Sequence, residues 1–204
     1  MCAAPHPAHA PTDRAQARRQ QVLAAAVECF RRRGFHGASM AEIAKTAGMS
    51  AGHIYNLFEN KDDVIAAIVE RDRDEIVRRI QATLDGDDVP RAMLAAVEDS
   101  FHEPQREAEA ALNLEVLAEA GRNARLAQVV VDSETTIRIK AMVMIRMALG
   151  PAADQLPADE IEARASVLAA LFNGLMVLSV SQPDLNQAAV TRVMQRVMRL
   201  LIEP

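Results

Sequence analysis

The side chains best equipped for chemistry crowd into one stretch, Ser39 to Lys61, SMAEIAKTAGMSAGHIYNLFENK. It holds two capping hydroxyls (Ser39, Ser50), an imidazole (His53), a phenol (Tyr55), a carboxamide (Asn56) and two ammonium groups (Lys45, Lys61). These are hydrogen-bonding and charge-pairing groups. The chain has no Walker loop, no dinucleotide-type glycine fingerprint, no HExxH and no paired cysteine site. The one acid–base neighbour pair, His102-Glu103, stands beside Pro104 and reads as chance polarity. Recognition is expected, and no enzyme activity, cofactor or metal; His6 and His9 do not change that.

The elements that must position this stretch are short helices. Ser39 is a good N-cap, and Glu42 three residues on completes a capping box. Met40, Ile43, Ala44 and Ala47 recur at helical spacing until Gly48, which takes a left-handed conformation cheaply and stops the helix. Ser50 caps a second helix whose Ile54, Leu57 and Phe58 face inward. Asn60 ends it and caps a third, with Lys61, Asp62 and Asp63 in its first turn. Two helices joined by a tight glycine turn make a helix-turn-helix, whose second helix enters the DNA major groove.

Gly34-Phe35, then AEIAKTAGMS, then IYNLFENKDDVI resembles the N-terminal domain of the TetR family of transcriptional regulators, over roughly residues 14 to 65. The resemblance implies that Ala51, Gly52, His53 and Asn56 face bases. Asn can pair bidentately with adenine, and Ala can touch a thymine methyl. It also implies phosphate contacts from Ser39, Tyr55 and Lys61, the first and last with their helix N-termini. Lys45 reaches a base or a phosphate. The expected DNA-binding set is Ser39, Met40, Lys45, Ser50, Ala51, Gly52, His53, Tyr55, Asn56 and Lys61. Many family members carry His or Tyr where this chain has Leu57, which points Leu57 to packing.

The formal net charge of -5 conceals a division. Residues 1–61 hold 8 Lys and Arg against 4 Asp and Glu, whereas the remainder holds 15 against 24. A basic head on an acidic body directs the head to phosphates. With 204 residues, half of them apolar, the chain can bury a sizeable core in one or two domains. Cys2 and Cys29 have no metal or redox spacing, which suits a reducing, cytoplasmic compartment. Residues 1–12 lack a signal-peptide pattern and read as a disordered tail.

A helix from about Asp13 to Arg33 carries the stripe Val22, Leu23, Ala26, Val27 and Phe30, with Gly34 as its stop. Arg14 and Arg18 at its start are candidates for DNA backbone contact; Arg31, Arg32 and Arg33 form a solvated face. Phe30, Phe35 and Phe58 are expected to core the head. A long helix from Lys61 to Leu84 links head to body. Further helices are expected from Pro90 to about His102, Pro104 to Ala120, Asn123 to Leu149, Pro157 to about Ser181 and Asn186 to Ile202. The run from Val167 to Val180 is apolar nearly all round, so it must be covered on both sides; it is too short for a membrane span.

The whole is expected to be all-α, with a disordered tail (1–12), a three-helix helix-turn-helix DNA-binding domain (13–61) and a helical ligand-binding and dimerisation domain (62–204). The last two helices, about 158–202, suggest a homodimer through a two-fold four-helix bundle, in agreement with the resemblance. Two heads on a two-fold axis suit a palindromic double-stranded operator. The resemblance further implies a small-molecule effector in the body whose uptake releases DNA. Its expected contacts are Phe101, His102, Asn113, Glu115, Met142, Phe172, Asn173 and Met176. Glu115 would suit a cationic or hydrogen-bonding ligand. Two other readings share this pattern: a ligand-independent or partner-regulated helical DNA-binding factor, and an activator of the same fold.

Overall fold

The computed structural model describes residues 13–99, 106–157, 159–182 and 184–203. Among them are nine α-helices, one 3-10 turn and no strand, so the all-α expectation holds. The chain divides into two compact units, Met1–Ala67 and Ile68–Pro204.

The first unit contains α1 (Asp13–Gly37), α2 (Met40–Thr46), α3 (Ala51–Tyr55) and the first turns of α4 (Lys61–Leu84). Helix α1 buries Val22, Leu23, Ala26, Cys29 and Phe30 on one stripe. Its regular course breaks at Gly34 (φ 70°, ψ 168°), where glycine tolerates a positive φ, and one more turn follows to Gly37. Phe30 and Phe35 meet edge to face at 5.6 Å, and Ile43, Ile54, Phe58, Val64 and Ile65 close the core around them. Helix α3 is shorter than its sequence suggests. It ends at Tyr55 with Asn56 as C-cap, and the chain reaches Asn60 through a turn.

The second unit contains the rest of α4, α5 (Val89–Asp99), α6 (Arg106–Ala120), α7 (Ala124–Leu149), the 3-10 turn (Gly150–Gln155), α8 (Glu160–Ser181) and α9 (Gln187–Ile202). Asn123 caps α7 by accepting from the N–H groups of Arg125 and Leu126, and Asn186 caps α9 by accepting from Ala189 N–H. Gly150, with φ 57°, ends α7. Met93 and Val97 of α5, Ile145 and Leu149 of α7, Leu168 and Leu175 of α8, and Met194, Met198 and Ile202 of α9 share one core. Polar ties fix the helices around it. Arg164 pairs with Glu160 at 2.8 Å and donates to the Leu201 carbonyl at 2.9 Å, while Gln195 donates to the Leu94 carbonyl at 3.2 Å.

Helix α8 departs from the expectation that an apolar run is covered on both sides. Its inner face (Ile161, Ala165, Leu168, Leu175) is buried, but Ala163, Val167, Ala170, Gly174 and Val177 are exposed. By length and composition it could cross a membrane, and most of its residues are not buried. The run reads as a core helix only when one face is counted.

Candidate nucleic-acid interface

The turn between α2 and α3 is built from backbone hydrogen bonds. Ala47 caps α2, Gly48 N–H donates to the Lys45 carbonyl at 3.1 Å, and Met49 N–H reaches back to the Ala44 carbonyl at 2.9 Å. This is the Schellman pattern, and the left-handed φ of 63° at Gly48 makes it possible. Gln21 of α1 adds a side-chain amide to the Ala47 carbonyl at 2.8 Å. Directly after the turn, the Ser50 hydroxyl accepts from His53 N–H at 3.3 Å and starts α3.

Helix α3 is anchored from beneath. Ile54 is fully buried, and Phe58, just beyond the helix, is buried under the Arg19 guanidinium, 4.4 Å from its ring centroid. Arg19 also donates to the Leu57 carbonyl at 3.4 Å. Its charge alone would put it on the polar face of α1, and nothing in the spacing marks it as a packing residue; the aliphatic stem and flat cation let it serve as one. Leu57 itself is half-buried.

On the other side of α3, Ser50, Ala51, Gly52, Tyr55 and Asn56 are exposed and His53 is half-exposed. Tyr55, the single tyrosine of the chain, keeps 53% of its surface in solvent. A Cβ built on Gly52 meets nothing within 4 Å, so packing inside the chain places no demand for glycine there. Lys45 is exposed, and Arg14 and Arg18 are exposed on α1. Among the described residues none of these three cations has an ion pair. The arginines near the end of α1 do: Arg33 pairs with Glu42 at 3.0 Å, Arg32 with Glu42 at 3.5 Å, and Arg31 with Glu28 at 2.9 Å. Glu42 therefore spends its carboxylate on α1, and of the expected capping box only the Ser39 half stands, accepting from Glu42 N–H at 3.2 Å.

Two residues of the expected set stand differently. Met40 is only 8% exposed and packs in the core, so its side chain is not a surface group. Its place at the first position of α2 follows the helical stripe that also buries Ile43 and Ala44. The Lys61 ammonium donates to the carbonyls of Phe35, Ala38 (2.9 Å) and His36 (3.5 Å), and it lies 4.5 Å from the Phe35 ring centroid. It caps the C-terminal end of α1, where carbonyls lack helical partners and a cation is favoured.

The expected effector residues lie in the second unit, and the structure brings two of them together. The Asn113 side-chain amide of α6 donates to the Met176 sulfur of α8 at 3.1 Å. Met142 and Phe172 are half-buried against the main core, Glu115 is half-buried and Asn173 is exposed. Glu115, two positions from Asn113, lies on a different side of α6, since residues two apart do not share a helix face. Phe101 and His102 lie outside the described residues, as do Cys2, His6 and His9. One residue that the sequence reading passed over is Ser133 of α7, buried at 4% exposure with no hydrogen-bond partner for its hydroxyl among the described residues. A serine seven residues from Leu126 and eight from Ala141, both buried on the same helix, was the available signal.

Comparison with known proteins fits this geometry. Residues 22–68 match the model for bacterial regulatory proteins of the tetR family, and residues 90–203 match the C-terminal domain of BetI-type transcriptional repressors. The transcriptional regulator UidR of Escherichia coli is 34% identical over 125 residues, which is 60% of this chain and 62% of UidR, so the chain matches less than two thirds of that relative's length. The nicotine-responsive repressor HdnoR of Paenarthrobacter nicotinovorans is 36% identical over 84 residues, 41% of this chain and 43% of HdnoR. The solved structure of Salmonella enterica GusR is similar with a TM-score of 0.74 at 25% identity, covering 91% of this chain and 95% of that one. A turn built to hold α3 outward, in a head matched from residue 22 onward and followed by a matched regulatory domain, makes this chain a member of the TetR family of transcriptional regulators, not an enzyme.

Proposed function

We propose that the protein is a ligand-responsive repressor that binds a palindromic operator as a homodimer in the cytoplasm. One observation carries the DNA reading: α3 is pinned through Ile54 and Phe58 while its outward face has a glycine that the chain's own packing does not need. A bare backbone at Gly52 allows close approach to a groove, with Ala51, His53 and Asn56 beside it for base edges. Ser39, Tyr55, Arg14 and Arg18 supply phosphate contacts, and Lys45 supplies a further cation. Ser50 and Lys61 act by holding α3 and the end of α1, although the backbone at the start of α4 stays a phosphate candidate.

The homodimer reading rests on α8. Ala163, Val167, Ala170, Gly174 and Val177 alternate at spacings of four and three, the pattern of a seam between packed helices, and all are exposed. Val193 and Leu200 of α9 are exposed as well, Leu200 at 73%. An apolar surface of this extent marks an interaction site. The repressor sign and the response to a small molecule are supported by the BetI-type match and by HdnoR, a nicotine-responsive repressor. Asn113 and Met176 are the polar and soft contacts we place at the effector.

The test is binding of the purified protein to the DNA upstream of its own gene, against a scrambled duplex, across a salt series. Tight binding to the native duplex alone, with a steep salt slope, is expected. Equal, weak binding to both duplexes would overturn a self-regulating operator, and no binding to either at low salt would overturn the DNA reading.

A further inference from the structure

Helices α6 and α7 are joined through Gly121–Asn123 and pack against each other and against α8. A connection this short makes them an antiparallel hairpin. Asn113 stands seven residues before the end of α6, and Ser133 nine residues after the start of α7. At a rise of about 1.5 Å per residue, the two lie roughly 10 and 13 Å from the turn, so they share one level of the bundle. Met176 of α8 joins that level through its contact with Asn113.

This level is polar but poorly satisfied. The Ser133 hydroxyl is buried without a partner among the described residues. The Asn113 amide has settled on a thioether, a weak acceptor. Buried polar groups are nearly always paired, so an unpaired hydroxyl on the same level as a weakly paired amide calls for a missing partner. The three side chains carry no charge. A charged ligand buried among them would lack a countercharge, which is far costlier than an unpaired hydroxyl.

We propose that Ser133 and Asn113 form the recognition point for an uncharged, largely apolar effector that carries a hydroxyl or carbonyl oxygen. The proposal rests on the reading that the second unit takes up an effector. It adds a residue and a chemical class to that reading. Ser133 and Asn113 fix the effector's oxygen, and the Met176 thioether is freed to pack on its apolar part.

Two measurements on the intact protein test it. First, Ser133→Ala removes a hydroxyl that is unpaired in the free protein, so at fixed protomer concentration its thermal midpoint rises, by about 3–5 °C for each tenfold gain in folding equilibrium in a chain of this size. A lowered midpoint would show that the hydroxyl is already satisfied, by a water or the helix backbone, and would overturn the proposal. Second, the protein is labelled with methyl-13C methionine, and the Met176 resonance is identified by its loss in Met176→Leu. Cyclohexanol and methylcyclohexane are then titrated in. Cyclohexanol is expected to move the Met176 signal and methylcyclohexane to leave it in place, with about tenfold weaker cyclohexanol binding in Ser133→Ala. An unmoved signal with cyclohexanol at its solubility limit, an equal response to both probes, or unchanged affinity in the variant would each overturn the proposal. Release of operator DNA by a charged molecule would overturn the chemical class and leave the effector reading in place.

Discussion

Gly52 and Lys61 belong to the same expected contact set, but the structure gives them opposite kinds of work. A Cβ at position 52 meets open space, so Gly52→Ala adds a methyl to a helix and removes glycine's backbone entropy penalty. Folding stability is expected to stay level or rise by about 0.5–1 kcal/mol. Operator affinity is expected to fall, because the methyl stands where the backbone approaches the groove. Lys61→Met is the mirror case. It strips the ammonium from the Phe35 and Ala38 carbonyls, and the head should lose about 1–3 kcal/mol of stability. Thermal melting of both variants beside operator titration separates the two roles; a Gly52→Ala protein with full affinity would remove Gly52 from the interface. The sequence could show that Lys61 is a cation at a helix start. It could not show that three carbonyls from the end of α1 converge on it, since that depends on where the break at Gly34 sends the chain. Arg19 was opaque for the same reason, and for Ser133 only the burial was legible: their partners, or the lack of them, come from distant residues.

At the scale of the element, the turn between α2 and α3 was the most legible part of the molecule. Gly48 and Ser50 are local signals, and each has a local cause: a left-handed φ of 63° and an accepted hydrogen bond from His53 N–H. Gly48→Ala meets no atom within 4 Å, so its cost is backbone strain alone, about 1–2 kcal/mol. Ser50→Ala removes a cap and costs about 1 kcal/mol. The two act on adjacent residues of one turn, so the double variant is expected to depart from the sum of the singles. Chemical denaturation of the three variants checks this, and an unchanged midpoint in Gly48→Ala would show that the turn can relax. The length of α3 was read less well, because Leu57 and Phe58 keep helical spacing after the helix has ended; Phe58 is placed by burial under Arg19. For α8 the composition was read correctly and the burial was not. Hydrophobicity says that a face wants cover, but among the described residues only one face of α8 is covered.

On the scale of the whole molecule, that uncovered face is where the operator reading and the dimer reading meet. A palindromic operator needs two heads, and a seam of Ala163, Val167, Ala170, Gly174 and Val177 gives a second copy a close-packing surface. Gly174, like Gly52, has open space around a built Cβ, so its small size is again of no use within the chain. Val167→Glu places a carboxylate in the middle of the seam, on a residue already 46% exposed, so the protomer's own core is spared. The variant is expected to sediment as a monomer with an unchanged helix content. Losing one of two linked heads should then cut operator affinity by about 10²–10⁴. The salt dependence gives the sharper reading, since its slope counts neutralised phosphates and should fall to roughly half. A Val167→Glu protein that stays dimeric would move the interface off α8. A monomer that keeps the full slope would mean that a single head makes all the phosphate contacts, and the two-fold operator would have to be given up.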